Sequence, residues 1–476
     1  MSLQVAAASA AAELDAPRRI PPSRYAPWII AAASFAAYAT YSIRQYERLV
    51  NPSWDLSIFT QVVANYAHLR APIANLKGPG FNILGDHFSP IVALLAPIYR
   101  VFPTPLTLEV SQAALFAVAV VPITRLAWRR LGWQAGLALG VAYSVAWGIQ
   151  TAVAADFHEI AFAVPLLAFA LEALVDERWV RAAAWAIPLV LVKEDLGLTL
   201  AAIGLYLVLH RQRPLGWSLV VGGVAATAIT MAVIIPAFNP AHSYAYLGAG
   251  ISGGQSSITD SVRNLLWPAP KLYTLLLLVA ASGIISLRSP LVLICVPTLL
   301  WRFESGNPFY WEPRHHHYNA ILMPIIFVAL IDGAIRLGRS SKSWLRASER
   351  YAPVVAVVAA IVCFTQFPLH TLFRGSTYRA APRAGLAALA VVPNGSSVEV
   401  NDGLVAQLVA HHTVYWRGDS GRSGADYMVI DVYAGYPIPV TKPVKYAESL
   451  HPGETYRLIF RRLPYVVLER ASPDPT

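Results

Sequence analysis

Five short strings gather ionisable residues beside long apolar stretches of the chain. They are Trp54-Asp55, Gly85-Asp86-His87-Phe88, Asp156-Phe157-His158-Glu159, Lys193-Glu194-Asp195 and the run from Trp311-Glu312-Pro313-Arg314 through His315-His316-His317-Tyr318. Charge next to membrane-depth segments is costly, and where it recurs it marks function. Asp55 follows a turn sequence, Asn51-Pro52-Ser53, and opens an amphipathic stretch from Leu56 to Val63. A carboxylate there either caps a helix, worth about 0.5–2 kcal/mol, or takes a proton from a hydroxyl nucleophile as a general base. Lys193 suits a phosphate, and Glu194 and Asp195 suit the hydroxyls of a polyol; a loop with a local salt bridge needs the same residues. Asp86, His87, Asp156, His158 and Glu159 are further candidates for substrate contact. Asp156 and His158 supply two ligands where zinc takes three or four, so their string is not a complete metal site. Arg314 has the fork for bidentate phosphate recognition. The histidines that follow it cannot converge on one ion from a regular element. Arg314, His315, His317 and Tyr318 therefore form either a cationic rim or an interfacial helix cap.

The elements that must position these groups follow from composition. Of 476 residues, 56% are hydrophobic and 13% charged, with a mean hydropathy of +0.49. A soluble domain carries about 25% charged residues, so this composition specifies an integral membrane protein. A helix that crosses the bilayer takes about 20 apolar residues. Eleven stretches approach that: 26–43, 106–127, 133–153, 160–176, 179–192, 196–209, 215–236, 272–287, 290–303, 318–336 and 352–370. Prolines break several, at Pro188, Pro297 and Pro324. The apolar run His87–Phe102 contains Pro90 and Pro97 and reads as a re-entrant or interfacial helix. Counting it as a crossing would put Arg125, Arg129 and Arg130 outside, against the preference of Arg and Lys for the cytoplasmic side.

With that choice the Arg- and Lys-rich loops lie inside, the N-terminus is cytoplasmic and the C-terminus extracytoplasmic. All five ionisable strings then fall on the outer side. Trp54, Trp301 and Trp311 suit the interfacial aromatic belt, and an aromatic face in an outer cleft can equally stack on sugar. Residues 1–25 read as a disordered cytoplasmic leader, residues 26–373 as the transmembrane domain with a large first outer loop at 44–105, and residues 374–476 as a small extracytoplasmic α/β domain. In the last, strand-like runs at Ser397–Val400, Thr413–Trp416, Tyr427–Tyr433, Tyr456–Phe460 and Tyr465–Leu468 alternate early on with helical patterns at Arg383–Val391 and Leu404–His411. Two cysteines, Cys295 and Cys363, exclude a disulfide scaffold. The net charge of +10 comes without a nucleic-acid-binding signature, and no Walker A loop or dinucleotide fingerprint is present.

Three strings together resemble a known family: Trp54-Asp55-Leu56-Ser57-Ile58-Phe59-Thr60-Gln61, Gly85-Asp86-His87-Phe88-Ser89-Pro90 with Ala96-Pro97-Ile98-Tyr99, and Val192-Lys193-Glu194-Asp195. The chain resembles, from about residue 45 to 470, the bacterial multi-spanning proteins grouped as domain of unknown function 2079. That family is grouped with the GT-C glycosyltransferases, in which an acid early in the first outer loop is catalytic and donors are polyprenyl-phosphate sugars. The resemblance implies a GT-C-like helical membrane fold with Asp55 as the catalytic carboxylate and a polyprenyl-phosphate sugar donor. The single Asp55 departs from the paired acids of some GT-C enzymes, which leaves a divalent metal open as a cofactor. The expected function is transfer of a sugar to an acceptor outside the cytoplasmic membrane of a bacterium, with membrane lipid and no nucleic acid as partners. A transporter or lipid flippase is the alternative, and so is a non-catalytic scaffold with an external partner-binding domain. The oligomeric state is not encoded in any of these signals.

Overall fold

The computed structural model describes residues 22–51, 53–246, 263, 265, 267–401, 403–434 and 440–471. Most of the expected leader lies outside them. Its last residues are helical, because Pro22 opens a helix that runs to Glu47 and proline is well placed in a first turn.

Each of the eleven apolar stretches is helical over most of its length. Among the described residues, four segments are long and apolar enough to cross a membrane: Pro105–Leu131, Trp133–Ala154, Arg213–Phe238 and Ser343–Gln366. Val221, Ile229, Val358 and Ile361 are exposed on two of them, as expected of faces turned to lipid. Other stretches are broken where proline removes a backbone donor. Pro188 sits in a 3-10 turn, Ile187–Leu191, and Pro297 restarts a helix, Val296–Glu304, after the 3-10 turn Pro290–Cys295. The stretch expected from residue 318 becomes helical at Leu322. The preceding turn is held open by the buried Arg302, whose guanidinium donates to the Tyr318 carbonyl at 3.0 Å and to Asn319 Oδ1 at 2.9 Å.

The run expected to be re-entrant or interfacial forms a 3-10 turn, Pro90–Leu95, continued by a helix, Ala96–Val101. Twelve residues rise about 18–24 Å at 1.5–2.0 Å per residue, short of a bilayer core of about 30 Å.

The C-terminal unit is a five-stranded sheet. Its strands are β1 Ser397–Val400, β2 Thr413–Trp416, β3 Tyr427–Asp431, β4 Tyr456–Arg462 and β5 Tyr465–Arg470. β1 pairs in parallel with β2 and β3, and β5 pairs antiparallel with β3 and β4. β3 ends two residues earlier than its apolar run, because the Asp431 carboxylate accepts the Tyr433 and Ala434 amides and turns the chain. Val398, Val400, Val414, Val429 and Val467 join the main core. Met428, Ile430, Val466 and Leu468 form a second core with Ala447 of the Pro443–Leu450 helix. The sheet is thus covered on both faces.

Candidate functional site

Asp55 stands in the first turn of the Trp54–Ala67 helix. Its Oδ2 lies 3.1 Å from His158 Nε2, and His158 Nδ1 lies 3.0 Å from the Asp156 carbonyl oxygen. A carbonyl only accepts, and so does an ionised carboxylate, so both ring nitrogens must donate. That is the imidazolium form. Burial opposes the charge on His158, but the Asp55 carboxylate, aided by Glu159, outweighs it and raises the pKa above its ordinary value. Burial likewise pushes the Asp55 carboxyl up, and the facing His158 charge brings it below the usual carboxylate range.

Two unusual turns bring this pair together. Ser53 and Asp156 both adopt left-handed backbone, with φ of 64° and 66°, at a cost of about 1–3 kcal/mol each. The Ser53 amide donates to the Asp156 carboxylate, which ties the two turns to each other. The turn at Asp156 is held from behind by the Pro105–Leu131 helix. Glu109 Oε1 accepts the Phe157 amide at 3.2 Å, Gln112 Oε1 accepts the His158 amide at 3.1 Å, and Gln112 Nε2 donates to the Asp156 carbonyl at 2.8 Å.

Asp55 opens onto a cavity of about 1090 Å³. Asp86, His87, His158, Lys193, Glu194, Asp195, Arg314, His315, His317 and Tyr318 line it as well. Asp156 and Glu159 do not. The Asp156 carboxylate is taken by Ser53, and Glu159 accepts from Lys193 Nζ at 2.8 Å. Both support the wall from outside.

Ion pairs and aromatic rings order the rim. Glu194 Oε1 faces His87 Nδ1 at 2.9 Å and accepts from the Tyr244 hydroxyl at 3.0 Å. Burial would raise the Glu194 carboxyl, but His87 and Lys193 hold it down at about 2. Asp86 pairs with Lys77 at 3.0 Å and accepts from the Tyr246 hydroxyl at 3.2 Å. Asp195 Oδ2 accepts from Trp301 Nε1 at 2.9 Å. The three consecutive histidines diverge. His315 pairs with Glu312 at 2.8 Å, His316 has a left-handed backbone, and His317 is buried with its ring 3.6 Å from that of His158. Neither His317 nitrogen has a partner among the described residues. Burial and the nearby His158 and Lys193 charges push its pKa well down. Arg314 lies over the Tyr273 ring at 5.7 Å and makes no ion pair among the described residues.

Trp54 and Trp301 line the cavity, and Trp311 is buried, donating to the Ser305 carbonyl at 3.0 Å. Trp54 and Trp301 thus present an aromatic face to the cleft, the second of the two places open to them, and the Trp311 indole is held inside the protein. Lys77, Tyr244, Tyr246 and Arg302 belong to the site or its supports and stand in no ionisable string. The two tyrosines, spaced by one residue in a polar loop, were the available signal. Arg302 had none, because a single arginine in an apolar helix reads as a helix end. Among the described residues, no group of three or more His, Cys, Asp or Glu side chains is placed to hold a metal ion.

The family model described as predicted membrane protein DUF2079 matches residues 45–428. The chain belongs to that family. No curated protein is significantly similar to it in sequence. Among solved structures it is similar to ArnT from Cupriavidus metallidurans bound to undecaprenyl phosphate, at 12% identity and a TM-score of 0.57, over 92% of this chain and 97% of that one. It is also similar to the archaeal oligosaccharyltransferase AglB from Archaeoglobus fulgidus in complex with an inhibitory peptide and a dolichol-phosphate. There the identity is 12% and the TM-score 0.45, over 93% of this chain and 74% of that one. The likeness to ArnT gives the fold: this DUF2079 membrane protein is GT-C-like.

Proposed function

We propose that this protein transfers a sugar from a polyprenyl-phosphate donor to a hydroxyl acceptor on the extracytoplasmic side of a bacterial cytoplasmic membrane. The observation that carries this reading is the Asp55–His158 pair at the edge of a cavity lined by both cationic side chains and carboxylates, the types that suit a phosphate and a sugar's hydroxyls. Asp55 takes the proton from the acceptor hydroxyl as that oxygen attacks the anomeric carbon. The carbon–oxygen bond to the lipid phosphate breaks, the configuration inverts, and the phosphate leaves with the negative charge. Lys193 keeps protons free after its bond to Glu159, and Arg314 has no competing carboxylate among the described residues, so both can receive that charge. His87 adds to it. Asp195 beside Trp301 offers a carboxylate and an indole to the sugar.

The domain boundaries and sidedness belong to the same proposal: a cytoplasmic N-terminus, a first outer loop at 44–105 and an external domain from 374. Mass spectrometry of the lipid co-purified with the protein tests the donor class. A polyprenyl phosphate retained by the wild type and depleted in Arg314→Ala supports the proposal. Retention of bulk phospholipids alone, in the same ratio for both proteins, contradicts it.

A further inference from the structure

Far from the sugar cavity, five arginines surround two carboxylates. Gln112, which holds the His158 turn, and Arg129 share one helix. They lie about 25 Å apart along it at 1.5 Å per residue, close to the thickness of a bilayer core. At this far end the buried Glu172 accepts from Arg125 through Nε at 2.7 Å and also through Nη2, and from Arg129 Nη2 at 3.1 Å. Asp176 accepts from Arg129 at 2.7 Å and from Arg130 at 2.9 Å. Two carboxylates therefore engage three guanidiniums.

Arg178 and Arg181 line the same small cavity, about 130 Å³, with Arg125 and Arg129. Among the described residues neither makes an ion pair. Four arginines and two carboxylates line that space, which leaves two positive charges uncompensated around a volume suited to one phosphate-sized group. Apolar surface lies alongside. Val180, between the two unpaired arginines, is exposed, as is Trp133 just beyond the helix end. Trp185 stacks on Phe169 at 4.7 Å, and Arg125 reaches over that Phe169 ring at 6.0 Å. Guanidiniums set beside apolar side chains at the end of a membrane helix match a lipid head group better than a soluble anion.

We infer that this arginine cavity binds the phosphate of an anionic glycerophospholipid, on the membrane face opposite the sugar cavity. The pre-formed network orients Arg125 and Arg129, and Arg178 and Arg181 supply the free charge. The two sites share no residue, so this inference and the sugar-transfer reading stand or fall separately.

The test exposes the full-length protein in detergent to phosphatidylglycerol, phosphatidylcholine or inorganic phosphate and reads adducts by native mass spectrometry. Phosphatidylglycerol should be retained at least about tenfold over phosphatidylcholine, and millimolar phosphate should not displace it. Each Lys or Arg near an anionic surface contributes about 1 kcal/mol, so Arg178→Ala/Arg181→Ala should lower retention about 10- to 30-fold with an unchanged melting temperature. Equal retention of the two lipids overturns the inference in the wild type alone, whatever the double variant does. Displacement by inorganic phosphate overturns it in favour of a soluble-anion site. Undiminished retention by a folded double variant overturns it as well.

Discussion

Asp55 and His158 stabilise each other's charge, and each has a raised or lowered pKa because of the other. The signs set a pH window. The His158 contribution is full below the ordinary histidine value of 6.5 and is lost as pH rises through its raised value. The Asp55 contribution is full above the ordinary 3.8 and is lost as pH falls through its lowered value. Transfer should therefore decline on the alkaline side as His158 loses its proton and releases the carboxylate from its fixed geometry. His158→Gln, which donates one hydrogen bond at every pH, should flatten that alkaline decline in a pH–rate profile. A variant profile with the wild-type decline would assign it to another group. At this scale the sequence was informative about identity and poor about geometry. The strings containing Asp55, His87, His158, Lys193 and Arg314 were visible because charge beside apolar runs is rare. That Asp156 would grip the Ser53 amide, or Glu159 pair with Lys193, could not be read, because these contacts join turns 103 and 34 residues apart in the chain, respectively.

The Lys193-Glu194-Asp195 string takes its position from the helix it precedes, Leu196–Leu209, and from the next helix, Arg213–Ile229. Their backbones nearly touch. A Cβ on Gly204 would lie 2.6 Å from the Gly216 carbonyl oxygen, and one on Gly223 would lie 2.2 Å from the Gly197 carbonyl oxygen. Small residues allow this approach, which is how helices pack where lipid offers no hydrophobic drive. Beyond it the second helix widens into a π turn, Thr230–Ile234, that carries Met231 into the cavity wall. Gly204→Val should separate the pair and cost about 1–3 kcal/mol, read as a lower melting temperature in detergent. An unchanged melting temperature would show that the contact carries no stability. The helices themselves were legible as apolar runs. Their close packing was not, since glycine in an apolar stretch has no signature of its partner.

The sheet domain meets the helix that carries Asp55. Trp416 of β2 contacts Trp54 edge-on, with centroids 4.6 Å apart. Gln61 donates to the Val414 carbonyl at 2.8 Å and accepts the Leu76 amide at 3.1 Å. Every strand of this domain was legible from β-rich runs between turn residues, but its docking on the Asp55 helix was not, because contacts such as Gln61 on Val414 join residues 353 positions apart in the chain. If the domain lies outside, a membrane-impermeant thiol reagent should label a cysteine placed in 403–425 and miss one placed in 338–348. The two native cysteines are buried and should stay silent. The reverse labelling would move the whole cavity to the cytoplasmic side.

The most direct measurement is the rate at which polyprenyl phosphate is released from polyprenyl-phosphate sugars of a bacterial envelope extract, for wild type and Asp55→Asn in vesicles. The substitution keeps the shape of the side chain and removes the base. General-base assistance is worth about 10²–10⁴-fold, so acceptor-dependent release should fall by that factor while the donor is still retained. Release by Asp55→Asn at the wild-type rate would contradict the account and return Asp55 to the role of a first-turn acid of its helix.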